Sequence, residues 1–342
     1  MKIGKVSETI LKRSVLRHIK TEGKEIVSGA GVGGDCAFFA SGDGQCVVSC
    51  MQEAALTIGR EGAGEGMEGA EDGMSIGHLL QKCFNNLGAG GARPTAVMIT
   101  LLLPEDIQEP DIRALMEQAQ AACSGLGVAI AGGQTRICRE VKAPCGVVTG
   151  FGKSGLLNGP GRAEPGQDIV VSKWIGLEGT AFLARRFKDK LRERYPAYFV
   201  EEAASFDRYY SILPEAAAAV KSGVCAMHDA SEGGIFAALW ELAERAGTGL
   251  AIDLRELPLR QETVEVCEYC GVNPYELLSG GCLVMTSGDG QALARILSEQ
   301  GIPARVVGKI TEGSRRIIRN GEEIRYMDRP QTDEIYKIIQ RS

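Results

Sequence analysis

The sequence predicts an α/β protein of two domains. Three observations lead there. Stretches of helical periodicity alternate with short apolar runs along the whole chain. A glycine- and proline-rich stretch interrupts that alternation at 152–167, where GKSGLLNGPGRAEPGQ holds five Gly and two Pro. The chain's 342 residues suffice for two separate cores. The expected division is 1–155 and 156–342, an α+β N-terminal domain with a mixed sheet followed by an α/β C-terminal domain.

In the first half, Ile10, Leu11, Val15, Leu16 and Ile19 recur at helical spacing over Ser7–Ile19, and the Ser7 hydroxyl can cap that helix. A glycine-dense turn, Gly29 to Gly34, follows, and QCVVSCM then reads as a buried strand. Residues 57–73 hold six Gly and five acids with almost nothing to bury, so a mobile loop is expected. Ser75 can cap the next helix, whose apolar stripe is Ile76, Leu79, Leu80, Cys83 and Leu87, ending at GAGGARP. TAVMITLLL reads as a strand, 109–124 as a helix, and VAIAGG and CGVVTGFG as strands. CVVSCM and AVMITLLL are apolar beyond simple alternation, so both faces of this sheet are expected to be covered, the second by another copy of the chain.

The second half restarts with strand DIVVSKW and helices near Gly176–Arg194 and Arg208–Lys221. Strand VCAMHD, a helix over Glu232–Arg245, strand GLAIDL and a helix near 262–270 follow. Strand CLVMT, a helix near 290–300 and strand ARVVGKI lead to RRIIRNGEEIRYM, a hairpin turned at Asn320-Gly321, where positive φ is tolerated.

Composition excludes several classes. Lys plus Arg number 38 against 44 Asp plus Glu, for a net charge of −6, which argues against a basic track for nucleic acid. No window approaches the ~20 apolar residues that cross a bilayer. The N-terminal MKIGKVSETILKRSVL has no apolar stretch of signal type, so a cytoplasmic protein that binds no membrane is expected. Eleven Cys at irregular spacing do not suggest a disulfide framework. The CEYC pair, Cys267 and Cys270, lacks the further ligands of a zinc site.

Four glycine segments bear on chemistry: GAGVGGD (29–35), AGGQT (131–135), KWIGLEGTAFLA (173–184) and HDASEGGIFAALWELAE (228–244). Glycines opening onto a strand or a helix start let backbone N–H groups approach an anion. Each alone equally serves to reverse the chain, and none fits the P-loop or dinucleotide fingerprint. His228 reads either as an acid/base or phosphate ligand or as a structural histidine. Ser231 reads as a helix cap. Lys153 and Lys173 are able to reach a phosphate, though solvated lysines are commoner.

Taken in order, GKV (4–6), GVGGDCAFF, NNLGAGGARP, AGGQT, PGQDIVVSKWIGLEGTAFLA, AMHDASEGGIFAALWELAE and GVNPYELLSGGCLVM resemble the aminoimidazole ribonucleotide (AIR) synthetase superfamily, nearest its hydrogenase-maturation carbamoyl dehydratase branch. The likeness spans almost the whole chain. It implies an AIR-synthetase-like two-domain architecture, a homodimer formed through the N-terminal sheets, and ATP held with magnesium between the domains for phosphoryl transfer to a small acceptor. It further implies cofactor contacts at Gly31, Gly33, Gly34, Gly132, Gly133, Thr135, Gly233 and Gly234, catalytic roles for Asp229 and His228, and metal positions at Asp35, Asn86 and Gln134. Two of those metal positions carry amides where the family carries acids, which removes charge that a hard cation favours. The strand-end acid is also missing at Ser49–Met51, where Glu53 is the nearest substitute or else a solvated acid. A degenerate site, or a ligand-binding homodimer without magnesium-ATP chemistry, is the alternative. The chain ends YKIIQRS without the family's terminal cysteine, so dehydration of a thiocarboxamide on its own tail is not expected.

Overall fold

A computed structural model describes residues 3–20, 23–41, 44–58, 73–155 and 162–340. Most of the expected mobile loop at 57–73 lies outside the described residues. The first half contains α1 (Glu8–Ser14), β1 (Ile26–Ser28), β2 (Ala37–Ala40), β3 (Cys46–Ala55), α2 (Ile76–Ala89), β4 (Arg93–Leu103), α3 (Glu109–Gly125), β5 (Ala129–Ile137) and β6 (Cys145–Ser154). Its six strands form one mixed sheet in the order β1-β2-β3-β6-β4-β5, in which only β4 and β5 run parallel.

α2 forms as its sequence dictates. The Ser75 hydroxyl accepts the His78 N–H at 3.1 Å, satisfying one orphan donor of the first turn. Ile76, Leu79, Leu80, Cys83 and Leu87 are sealed against Val48, Val97, Ile99 and Val148 of the sheet. Each such side chain contributes about 1.5–3 kcal/mol on burial. Among the described residues of the single chain, one face of this sheet is covered and the other is open. β3 and β4 alternate, with one face under α2 and α3 while Met51, Glu53 and Met98 are exposed on the other. Glu53 thereby reads as a solvated acid.

α1 is shorter than predicted. It ends at Ser14, a 3-10 turn covers Leu16–His18, none of its residues is fully buried, and Ser7 makes no side-chain cap. Polar links hold it to the second half instead: the Trp240 indole N–H donates to Glu8 at 2.8 Å, Lys12 pairs with Glu244, and Arg329 donates to Thr9 at 3.3 Å.

The second half contains β7 (Asp168–Ser172), α4 (Leu177–Arg186), α5 (Lys188–Arg192), α6 (Ala197–Ala204), α7 (Leu213–Lys221), β8 (Ala226–Ala230), α8 (Gly234–Ala246) and β9 (Gly249–Asp253). It continues with α9 (Gln261–Cys270), β10 (Cys282–Ser287), α10 (Gly290–Glu299), β11 (Ala304–Thr311), β12 (Arg316–Asn320), β13 (Glu323–Tyr326) and α11 (Tyr336–Ile339). The seven strands are ordered β13-β12-β9-β11-β7-β10-β8, antiparallel except between β9 and β12. β7, β8 and β10 are sandwiched: Ile169, Val171 and Val284 meet Leu239 of α8, while Val170, Leu283 and Met285 meet Ala219 of α7 and Leu297 of α10.

Three boundaries differ from expectation. The helix expected over 176–194 breaks at Phe187 into α4 and α5. The next one starts at Leu213, because Pro214 lacks an N–H and is tolerated only in a first turn. The hairpin's two-residue loop is Gly321-Glu322, one place later, since Asn320 still pairs with Glu323.

The halves meet along α2. Ala89 enters the core formed by Val170, Ala216 and Leu283. The buried Asn85 amide donates to the Tyr210 carbonyl at 2.7 Å, and its oxygen accepts the Ile212 N–H at 3.1 Å.

Candidate functional site

The end of β8, the first turn of α8 and the glycine turn before β2 converge where the halves meet. Gly33 has φ 69°, and a Cβ there would lie 2.5 Å from the Glu241 carbonyl oxygen, so only glycine lets this turn lie against the α8 backbone. Arg245 donates to the Gly33 carbonyl at 3.2 Å. The turn delivers Asp35 to His228: Oδ2 lies 2.8 Å from Nδ1, while Glu241 Oε2 lies 2.9 Å from Nε2. Burial opposes a charge on His228, but Asp35 and Glu241 outweigh it and lift its pKa to about 10. His228 is therefore an imidazolium with both N–H groups committed, a bridge between the halves.

Asp229 differs. It is 4% exposed, and its Oδ1 is a buried acceptor without a hydrogen-bond partner. Burial first, then the charge of Asp35, pushes its pKa up to about 7, against the pull of Lys82 and His228. Lys82 of α2 reaches Glu178 of α4 at 3.0 and 3.3 Å, and His78 reaches the same carboxylate at 3.2 Å. Burial works against the Glu178 anion, yet these two partners hold its pKa well below the ordinary range. Lys5 lies 3.7 Å from Glu241 and donates its backbone N–H to Glu232 at 2.9 Å. Asp35, Glu178, Asp229, Glu232 and Glu241 thus face Lys5, Lys82 and His228, and when all are ionised the cluster is net negative.

A cavity of about 550 Å³ opens beside this cluster, lined by Lys5, Val32, Glu232, Gly233, Trp240 and Gln331 among others. That is within the usual size of small-molecule sites, roughly 300–1,000 Å³. The segment 330–332 lines it too, and the next residue binds the glycine turn. The Gly233 N–H, on the turn read as an anion cradle, donates to Asp333 at 2.6 Å, and Asp333 also accepts from Ile335 and Leu278. Burial pushes Asp333 up to about 7 despite these donors.

The structure brings Gly31, Gly33, Gly34, Asp35, His228, Asp229, Gly233 and Gly234 to this region. Gly31 has open space beside it. Asn86 is near, its carbonyl accepting the Cys36 thiol at 3.1 Å. Gly132, Gly133, Gln134 and Thr135 are not brought together with these residues: they lie exposed on β5, paired with Met98–Leu101. β5 is four strands from β2, about 19 Å at the usual strand spacing. Within one chain the metal positions Asp35, Asn86 and Gln134 therefore do not assemble. Among the described residues no group of three or more His, Cys, Asp or Glu is arranged to hold a metal, the CEYC pair included. Asp229's orphaned oxygen and the net negative charge nonetheless fit a cation.

Other residues take structural parts. Lys173 is buried, bound to Glu215 at 2.7 Å and to the Tyr209 and Ser211 carbonyls, so it does not reach a phosphate. Sequence reasoning missed His78, Lys82, Glu178, Glu241 and Asp333. For α2 a signal existed: His78, Lys82 and Asn85 fall at i, i+4 and i+7, a polar stripe beside the apolar one.

A two-layer N-terminal domain and a three-layer C-terminal domain with a charged cleft at their joint define the class. The chain belongs to the AIR synthase related protein family: the family's N-terminal domain matches residues 33–153 and its C-terminal domain residues 164–319. It is similar to carbamoyl dehydratase HypE of Cupriavidus necator, 26% identical over 260 residues (72% of this chain, 71% of the relative). HypE of Rhodobacter capsulatus is 29% identical over 233 residues, 66% of each chain. Among solved structures, hydrogenase maturation protein HypE in complex with ATP has a TM-score of 0.68 at 17% identity, covering 97% of both chains. AaThiL complexed with AMPPCP and TMP has a TM-score of 0.64 at 19% identity, covering 87% of this chain and 92% of that one. Among the described residues no helix is long and apolar enough to cross a membrane.

Proposed function

We propose that the chain is an AIR-synthase-related protein of hydrogenase-maturation type that binds ATP, or another phosphorylated ligand, in the cleft between two domains divided near 155. Phosphoryl transfer to a small acceptor is weakened by the amides Asn86 and Gln134. The observation that supports this best is the orphaned carboxylate oxygen of Asp229, under the charge of Asp35, in a cluster short of positive charge whose members Lys5, Glu232 and Glu241 line an open cavity. The ATP and AMPPCP complexes of two neighbours of the same fold agree with it. Magnesium would be held by Asp35 and Asp229, and when bound it would neutralise phosphate charge. The backbone near Gly31 would receive phosphate oxygens, and His228 would position Asp35.

Calorimetric titration tests the reading. ATP is expected to bind at least about tenfold tighter with magnesium than without, a difference of 1.4 kcal/mol. Absence of binding under both conditions refutes it. A second reading, a ligand-binding scaffold without magnesium chemistry, is favoured by the commitment of Asp35 to His228. It requires binding that magnesium leaves unchanged. In either case hydrolysis should stay near background; on the first reading N86D/Q134D should raise the magnesium-dependent affinity, the Gln134 change acting through a second copy of the chain.

The assembly proposed is a homodimer through the open face of the N-terminal sheet, where Met51 and Met98 are exposed. A second copy would also offer Gly132, Gly133, Gln134 and Thr135 a route to the cleft. A monomer in sedimentation equilibrium at micromolar concentration would overturn it.

A further inference from the structure

Three thiols meet in the N-terminal core, under the floor of the cleft. Cys50 of β3 and Cys83 of α2 place their sulfurs 3.6 Å apart, and the Cys50 thiol donates to the Cys83 carbonyl at 3.3 Å. Cys36 adjoins the Cys50 thiol, but its own hydrogen is committed to the Asn86 carbonyl at 3.1 Å. All three are free thiols. Gly150 of β6 makes the room, since a Cβ there would fall 2.4 Å from the Cys83 sulfur. A disulfide needs the sulfurs about 1.5 Å closer than they are. The two cysteines are 33 residues apart. Cys83 follows Lys82, so a bond to Cys50 would bolt α2 to β3 directly behind one residue of the cleft.

We infer that Cys50 and Cys83 are an oxidisable pair, closed to a disulfide by low-molecular-weight disulfides such as oxidised glutathione. Cys50 is 6% exposed and Cys83 is sealed, so Cys50 is the entry point. Its thiolate attacks one sulfur of the oxidant, forming a mixed disulfide and releasing one glutathione thiolate. The Cys83 thiolate then attacks the Cys50 sulfur and releases the second. Two electrons pass to the oxidant, and the two thiol protons end on the released glutathiones. Hydrogen bonding to a neighbouring thiol, Cys36 for Cys50 and Cys50 for Cys83, together with burial pushes both thiols well up, so the reaction is slow and waits on local opening of α2 from β3.

The test incubates the full chain with excess oxidised glutathione, blocks remaining thiols with N-ethylmaleimide and maps the peptides. A peptide linking Cys50 to Cys83 is expected, with a rise in melting temperature of roughly 5–10 °C that dithiothreitol reverses. Cys36→Ala should leave the link intact. Cys83→Ala should leave Cys50 as the glutathione mixed disulfide. Recovery of Cys50 and Cys83 as blocked thiols in protein whose Cys138 and Cys145 have reacted overturns the inference, and so does a Cys36–Cys50 link. Mapping of the wild-type chain decides the matter even if a variant fails to fold.

Discussion

Replacing Lys82 with Met should destabilise the protein by about 3 kcal/mol, because it strands a buried carboxylate between the two halves. Glu178 is 3% exposed and Lys82 16%. At an effective dielectric near 20, unit charges at their 3.0 Å separation attract by roughly 5 kcal/mol. One-sided removal of a buried partner typically costs about 3–5 kcal/mol. His78, 3.2 Å from the same carboxylate, retains part of the compensation, which places the estimate at the lower end. Urea unfolding at pH 7, followed by tryptophan fluorescence, measures it. Lys82→Met/Glu178→Gln should recover much of the loss, since no charge is then stranded, giving a coupling of at least about 1 kcal/mol. The pH dependence carries a sign as well. Glu178's folded pKa lies below its ordinary 4.5, so its stabilisation is present above pH 4.5 and is lost as pH falls towards the folded value. Lys82→Met should flatten that acid limb. A single variant within about 1 kcal/mol of wild type, or strictly additive losses, would refute the reasoning.

Three further outcomes follow from the same contacts. Asp229→Asn should stabilise the protein at pH 8 by about 2 kcal/mol. Asp229's pKa is near 3.8 unfolded and about 7 folded, so its penalty grows from about pH 4 and is full above pH 7; melting curves at pH 5 and pH 8 should show the benefit at pH 8 to be roughly twice or more that at pH 5. Asn85→Ala removes both bonds to Tyr210 and Ile212 and should cost about 2–4 kcal/mol by urea unfolding. Gly133→Ala would set a Cβ 1.7 Å from the Ile99 carbonyl oxygen at φ 150°. It should strip β5 from β4 and raise amide exchange along that edge, while exchange in the C-terminal sheet stays unchanged.

What the sequence made legible is mainly what burial dictates. The stripe of α2 and the Ser75 cap follow from periodicity and one hydroxyl. So do β7, β8 and β10, whose apolar runs match strands covered on both faces. The errors arise where tertiary contacts outweigh local pattern. α1 has the periodicity of a longer helix, but it is held by Glu8, Thr9 and Lys12 rather than by its apolar residues. α6 went unpredicted because Pro196 before it suggests a break, though there it serves as the N-cap. In the candidate site, the Asp35–His228 contact joins two motifs that the sequence holds 193 positions apart. Lys82 and Glu178 each read as an ordinary surface charge, and only the docking of α2 on α7 and β8 of the second half makes them partners. Asp333 stands in no motif at all; its role comes from three backbone N–H groups that fold around it.

The seating of α1 has a consequence for how the protein is made. Its partners lie far along the chain: Lys5 waits for Glu232, 227 residues later, and Thr9 for Arg329, 320 residues later. At a synthesis rate of about 5–20 residues per second, the segment leaves the ribosome roughly 10–45 seconds before its first partner exists. Its docking is therefore a closing event of biogenesis, and a nascent chain halted before α8 should present Lys5–Lys12 to protease while the N-terminal sheet is already folded.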